Sequence, residues 1–99
     1  MIRRGVIFSP EAQDDLSRLY EWISEAAGEA IADAYIDRLE RYCLGFDLAS
    51  ERGLLREDIR PGLRIVGFER RITIAFMVDE TSATILRLFY GGRNWEEAL

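Results

Sequence analysis

Ninety-nine residues, 48% of them apolar and 11% aromatic, have the size and make-up of one globular domain spanning residues 1–99. The sequence has no histidine, no lysine, one cysteine (Cys43) and no apolar run near the ~20 residues of a membrane helix. Histidine-dependent triads, the usual zinc sites, lysine nucleophiles and an internal disulfide are therefore excluded. The net charge of −5 disfavours a protein whose main task is to grip nucleic acid. That charge is uneven. Residues 9–51 hold eleven acids and three arginines, whereas residues 52–71 hold six arginines and three acids.

Ile2 to Phe8 has the pattern of a short strand, too brief for the apolar core of a signal peptide, and the chain reads as cytoplasmic. Ser9-Pro10-Glu11 is a helix start: a hydroxyl cap, a proline at the first helical position and an acid at the positive end of the dipole. Leu16, Leu19, Tyr20, Ile23 and Ala27 recur at spacings of three and four, which predicts an amphipathic helix ended by Gly28. Ile31, Tyr35, Leu39, Tyr42 or Cys43, and Phe46 predict a second helix, antiparallel to the first because the link is so short. Tyr20, Trp22, Tyr35 and Tyr42 are read as core or seam residues, and Cys43 as a small buried filler.

Ser50 to Gly62 is a turn-rich, charged segment with Leu54, Leu55 and Ile59 as anchors, closed by Pro61-Gly62. Three strands follow: Leu63 to Phe68, Ile72 to Val78, and Ala83 to Tyr90, with turns at Glu69-Arg70-Arg71 and Asp79 to Ser82. Ile72, Ile74, Phe76 and Val78 share one face of the second. Leu86, Leu88 and Tyr90 share one face of the third, and Ile85, Arg87 and Phe89 the other. The fold class is α+β in the order β-αα-βββ, a helical hairpin packed on one face of a small antiparallel sheet. The first strand joins the sheet edge, and the other sheet face is left partly open to a partner.

Several segments together resemble the RelE/ParE superfamily of toxin–antitoxin toxins, and its ParE branch in particular. Val6-Ile7-Phe8-Ser9-Pro10-Glu11-Ala12 before an acidic helix is similar to the family's opening. Asp58-Ile59-Arg60-Pro61-Gly62-Leu63-Arg64 is similar to its lead into the sheet. Ile72 to Val78, Ile85-Leu86-Arg87-Leu88 and Gly91-Gly92-Arg93-Asn94 are similar to its last strands and exit. The resemblance implies a small cytoplasmic toxin, neutralised by a ParD-like antitoxin in a hetero-oligomer, with no cofactor and no membrane association. ParE-type members poison DNA gyrase and block replication. RelE-type members enter the ribosome and cut mRNA.

The nuclease reading needs a base, an acid and cations on the scissile phosphate. The resemblance implies an arginine in the middle of the second meander strand, where this sequence has Thr73. It also implies a tyrosine beyond the exit arginine, where this sequence has Trp95-Glu96-Glu97-Ala98-Leu99. Two acids beside a phosphate would repel it, and the negative net charge fits poorly with ribosomal RNA. The favoured reading is a gyrase inhibitor with no catalytic or metal-binding residues. An mRNA endonuclease and an inactive relic that only binds antitoxin stand as alternatives.

The candidate target-binding residues are Arg87, Arg93, Asn94 and Trp95. Arg93 matches the family's exit arginine; it contacts gyrase or caps the sheet edge as a solvated cation. Trp95 inserts into a partner or folds back on the domain. Arg87 pairs with an antitoxin carboxylate or with a helix acid. Arg60, Arg64, Arg70 and Arg71 form a basic edge for gyrase or DNA, or are solvated loop charges. An antitoxin C-terminal segment is expected to wrap the open sheet face and the helical hairpin.

Overall fold

The first helix, α1 (Pro10–Ala27), begins where its opening residues imply. Ser9 lies in extended conformation and its Oγ accepts from the Ala12 N–H at 3.0 Å. The same hydroxyl donates to the Leu86 carbonyl at 2.8 Å, so the cap also ties the helix to the sheet. Gly28, at φ +97°, is the whole link to α2 (Glu29–Leu44). A side chain is strained at that φ, which is why the hairpin turns at glycine.

In the computed structural model, which describes residues 3–91 and 95–99, the hairpin packs on a five-stranded mixed sheet. Its strands are β1 (Gly5–Phe8), β2 (Leu54–Leu55), β3 (Leu63–Phe68), β4 (Ile72–Val78) and β5 (Ser82–Tyr90), in the order β1-β5-β4-β3-β2. The pairs β5–β4, β4–β3 and β3–β2 are antiparallel, and β1 runs parallel to β5. The parallel pair follows from the connection: strand, helical hairpin and meander bring β5 alongside β1 in the same direction. The expected α+β class holds; the expected antiparallel sheet is corrected to a mixed one, because β1 joins its edge parallel to β5, and there are two refinements. The first strand starts at Gly5, with Arg3 and Arg4 before it and Ile2 outside the described residues, and Leu54-Leu55 forms an edge strand with both side chains exposed instead of anchoring the loop.

The main core lies between hairpin and sheet. Leu39, Cys43, Phe46, Ile74, Phe76 and Ile85 are fully buried there. Ile72, Ile74, Phe76 and Val78 share the helix-facing side, as their alternation predicts. Strand β5 departs from simple alternation. Ala75 pairs with Arg87 but Phe76 pairs with Ile85, so Leu86 is an inserted bulge residue. The bulge places Ile85, Leu88 and Tyr90 against the helices and sends Leu86 to the other side with Phe89. The grouping of Leu86 with Leu88 and of Ile85 with Phe89 is thereby corrected: a period of two fails across an inserted residue.

The second sheet face carries its own smaller cluster. Leu63, Ala75 and Phe89 are buried in it, and Ile59, Ile65, Leu86, Trp95 and Leu99 pack around them. The face expected to be partly open is covered over Leu63, Ala75 and Phe89 by the chain's own loop and final 3-10 turn, Trp95–Ala98.

Candidate functional site

Arg87 projects from the bulged strand toward α1. Its Nε donates to Asp15 Oδ2 at 2.8 Å and its Nη2 to Asp15 Oδ1 at 3.1 Å. The Leu88 N–H donates to Asp15 Oδ2 at 2.9 Å. One carboxylate thus holds a guanidinium by both arms and takes up a backbone donor beside the bulge. Asp15 is 8% exposed, and its hydrogen bond raises the Arg87 pKa. Of the two readings for Arg87, the helix acid is the one observed.

Trp95 folds back. Its ring stacks with Phe89 at 6.4 Å, and the Arg56 guanidinium lies 5.4 Å from its centroid. Arg56 also pairs with Asp58 at 2.8 Å and with Glu96 at 3.4 Å, and its pKa is raised first of all by the Asp58 hydrogen bond. Arg56 therefore clips the final turn to the loop before β3. Arg93 and Asn94 lie outside the described residues.

The four arginines expected to form one edge are divided by the length of β3. Arg60 and Arg64 stand at its start, and Arg70 and Arg71 in the hairpin after its end, ~20 Å away at ~3.3 Å per residue. Arg64 donates to the Arg52 carbonyl at 3.3 Å, and Arg71 to the Tyr90 hydroxyl at 3.4 Å. Arg60 and Arg70 make no ion pair or side-chain hydrogen bond among the described residues. Thr73 is the second residue of β4, near the strand's start and not at its middle, and pairs with Phe89.

The helix side of the sheet holds two adjoining hollows that the sequence did not announce. Trp22 and Tyr90, ring centroids 4.5 Å apart, stand as a ridge between them. One hollow, of about 210 Å³, is bounded by Arg18, Leu19, Ile72 and Leu88. The other, of about 220 Å³, is bounded by Ile23, Ala26, Ile31, Tyr35 and Arg71. Trp22 is 50% exposed and Ile31 56% exposed, so Trp22 is not the core residue its spacing predicts. Tyr35 is 9% exposed and its hydroxyl is buried with no hydrogen-bond partner. Burial pushes its pKa up. Cys43 is fully buried beneath the hairpin, and burial raises its thiol to about 12, which makes it an inert filler.

Among the described residues no group of three or more acids or cysteines could hold a metal ion, and no helix is long and apolar enough to cross a membrane. The sequence signals that were available for the missed features are local. Asp15 belongs to the buried spacing Ala12, Asp15, Leu19, Ile23, and a cation between Leu86 and Leu88 calls for a buried acid.

Comparison with known proteins places these features in a family context. The sequence model of a family described as the ParE toxin of the type II toxin-antitoxin system, parDE, matches residues 6–95. No curated protein sequence gives a match. A solved structure of the chromosomal ParDE TA system from P. aeruginosa contains a chain with a TM-score of 0.77 and 19% identity, covering 89% of this chain and 96% of its own. The toxin–antitoxin complex RelBE2 from Mycobacterium tuberculosis contains one with a TM-score of 0.63 and 18% identity, covering 94% of this chain and 97% of its own. At such identities the two structures speak to the fold.

Proposed function

This chain belongs to the ParE toxin family of type II toxin–antitoxin systems, and from that premise we propose that it inhibits DNA gyrase by binding, without catalytic chemistry of its own, and is neutralised in the cytoplasm by a ParD-like antitoxin. The state of the sheet's cations supports this reading over RNA cleavage. A nuclease of this fold needs positive charge held against a scissile phosphate and a group that takes the proton of the attacking hydroxyl. Strand β4, where the nuclease resemblance implies an arginine, contains none, and Thr73 stands at the position matched to it. Arg87, on the neighbouring strand, is held by both arms to Asp15. Arg56 is engaged by Asp58 and Glu96. A guanidinium already chelated by a carboxylate adds little further field to a phosphate.

Expression in the absence of antitoxin tests the proposal. Double-strand breaks, an SOS response and, with purified toxin and gyrase, accumulation of cleaved DNA complexes are the expected results. Codon-linked mRNA cuts with intact chromosomes would overturn the gyrase reading. Growth without either effect, with antitoxin still bound, would identify a chain that retains only the antitoxin partnership.

A further inference from the structure

The hollows flanking Trp22 and Tyr90 combine three observations that the fold itself does not explain. Trp22 and Ile31 present large apolar surface to solvent at one rim. The hydroxyl of Tyr35 is buried without a partner, a state that costs a folded protein free energy unless something supplies an acceptor. Two arginines line the groove: Arg18 the first hollow and Arg71 the second. Arg18 has no ion pair or side-chain hydrogen bond among the described residues, and Arg71 has only the long contact to the Tyr90 hydroxyl. Each hollow, at about 210 and 220 Å³, is smaller than the roughly 300 Å³ at which small-molecule sites begin. That size suits one inserted side chain each.

We propose that this groove seats a segment of the antitoxin that straddles the Trp22–Tyr90 ridge, lays one apolar side chain in each hollow, and brings a carboxylate to Arg71 and the Tyr35 hydroxyl. The assignment rests on the toxin–antitoxin reading above. Charge selects the occupant: Asp15, the acid in the lining, is already paired with Arg87, and the cations Arg18 and Arg71 favour an acidic, apolar-studded peptide over a basic one. The Tyr35 hydroxyl is buried in the free chain, so pairing it requires a side chain that lines the same hollow, such as Arg71, to turn outward. Arg71 is an exposed side chain held by one weak contact, and turning it is cheap. The unpartnered hydroxyl then acts as a reader. An incoming segment that offers an acceptor there satisfies it, and one that offers a methyl group leaves it buried and unpaired.

The test is titration of the purified toxin with its cognate antitoxin, at low and high salt, for the wild type and four variants. Arg71→Gln is expected to weaken binding about tenfold and to flatten its salt dependence. Trp22→Ala is expected to weaken it by about tenfold or more. Tyr35→Phe preserves the shape of the core. It is expected to leave the free toxin as heat-stable as the wild type or more so, while weakening antitoxin about threefold to tenfold. A merely structural tyrosine would not move the two readouts in opposite directions. Arg70→Gln, one residue away on the same hairpin but not lining the groove, is expected to bind as the wild type does. If the wild type binds antitoxin and every groove variant stays within about twofold of it, the proposal is overturned and the toxin–antitoxin reading stands. If the wild type binds no antitoxin, that reading falls first and takes this one with it. Self-association of the free toxin that Trp22→Ala abolishes would assign the groove to a second copy and overturn the proposal.

Discussion

Asp15 faces the sheet from the first half of α1 and accepts from Arg87 Nε, Arg87 Nη2 and the Leu88 N–H. The pair is unequal in its burial: the Asp15 side chain is 7% exposed and the Arg87 side chain 22%. Removing the acid leaves a half-buried cation and an unpaired backbone donor next to a bulge. Asp15→Ala is therefore expected to cost about 3 kcal/mol in urea unfolding, the lower end for a broken buried pair because Arg87 retains some water. Asp15→Ala combined with Arg87→Met should cost about 1–2 kcal/mol less than the two single changes added together, since the stranded charge is gone. A sum that is simply additive would deny the coupling. Asp15 was hidden in the sequence by the many acids around it. Its membership of the spacing that also holds Ala12, Leu19 and Ile23 was the signal, and an apolar-stripe search passes over a polar residue in that stripe. Tyr35 illustrates the reverse: its burial follows from spacing, but its lack of a hydrogen-bond partner depends on what β3, the turn after it and β5 place around it.

At the scale of elements, caps and turns were the readable part. Ser9-Pro10 starts α1 and Gly28 ends it because each imposes one backbone geometry locally. The β5 bulge was not readable, because Leu86 fits either face and only its cross-strand partners decide which it takes. The two hairpins carry separable predictions. The β3–β4 turn places Glu69 and Arg70 at φ 49° and 60°, with the Arg71 N–H donating to the Phe68 carbonyl, the left-handed pair of a type I′ turn. An arginine in that conformation is strained, so Arg70→Gly is expected to stabilise the protein by about 0.5–1 kcal/mol, while Glu69 keeps its 2.9 Å bond to Arg38. A lowered melting temperature would refute this. In the β4–β5 turn, Asp79 Oδ1 accepts from the Thr81 N–H at 2.8 Å and the Ser82 N–H at 2.7 Å, which holds its carboxyl below the ordinary 3.8. The Arg38 hydrogen bond does the same for Glu69 below 4.5. For both, the unfolded chain takes up the proton first as pH falls. Their stabilisation is thus present above the ordinary carboxyl range and is lost as pH drops through the folded values. Asp79→Asn keeps an acceptor for the turn but cannot titrate, so its melting temperature should fall less steeply than the wild type's below about pH 4. Parallel curves for the two proteins across that range would refute the assignment.

Across the whole molecule, two apolar clusters share one sheet, and this arrangement decides which surfaces are left for partners. The helix-side core was legible from helical and strand periodicity. The second cluster was not, because it is assembled from distant pieces: Ile59 in a charged loop, residues of the strands, Trp95 in the final turn and Leu99 after it. A terminal segment with two adjacent acids reads as a polar tail until Arg56 is seen bridging Asp58 and Glu96 and covering Trp95. With the far face partly covered by the chain itself, the exposed Trp22 side of the hairpin becomes the larger opportunity for a partner. The tail's packing also changes how its function must be tested. Deleting residues 95–99 strips the cover from Phe89, and it should cost about 2–3 kcal/mol of stability from lost aromatic burial alone. Loss of toxicity in such a truncation is then ambiguous between target contact and folding. Trp95→Phe retains most of the apolar cover, and Arg93→Ala changes by itself the residue that the sequence matches to the family's exit arginine. If the tail binds gyrase, Arg93→Ala should abolish DNA breakage and SOS induction while melting within a few degrees of the wild type and still binding antitoxin. If Arg93→Ala keeps full toxicity while Trp95→Phe and the truncation lose it in proportion to their lost stability, the tail is a structural strap and the proposed target contact lies elsewhere.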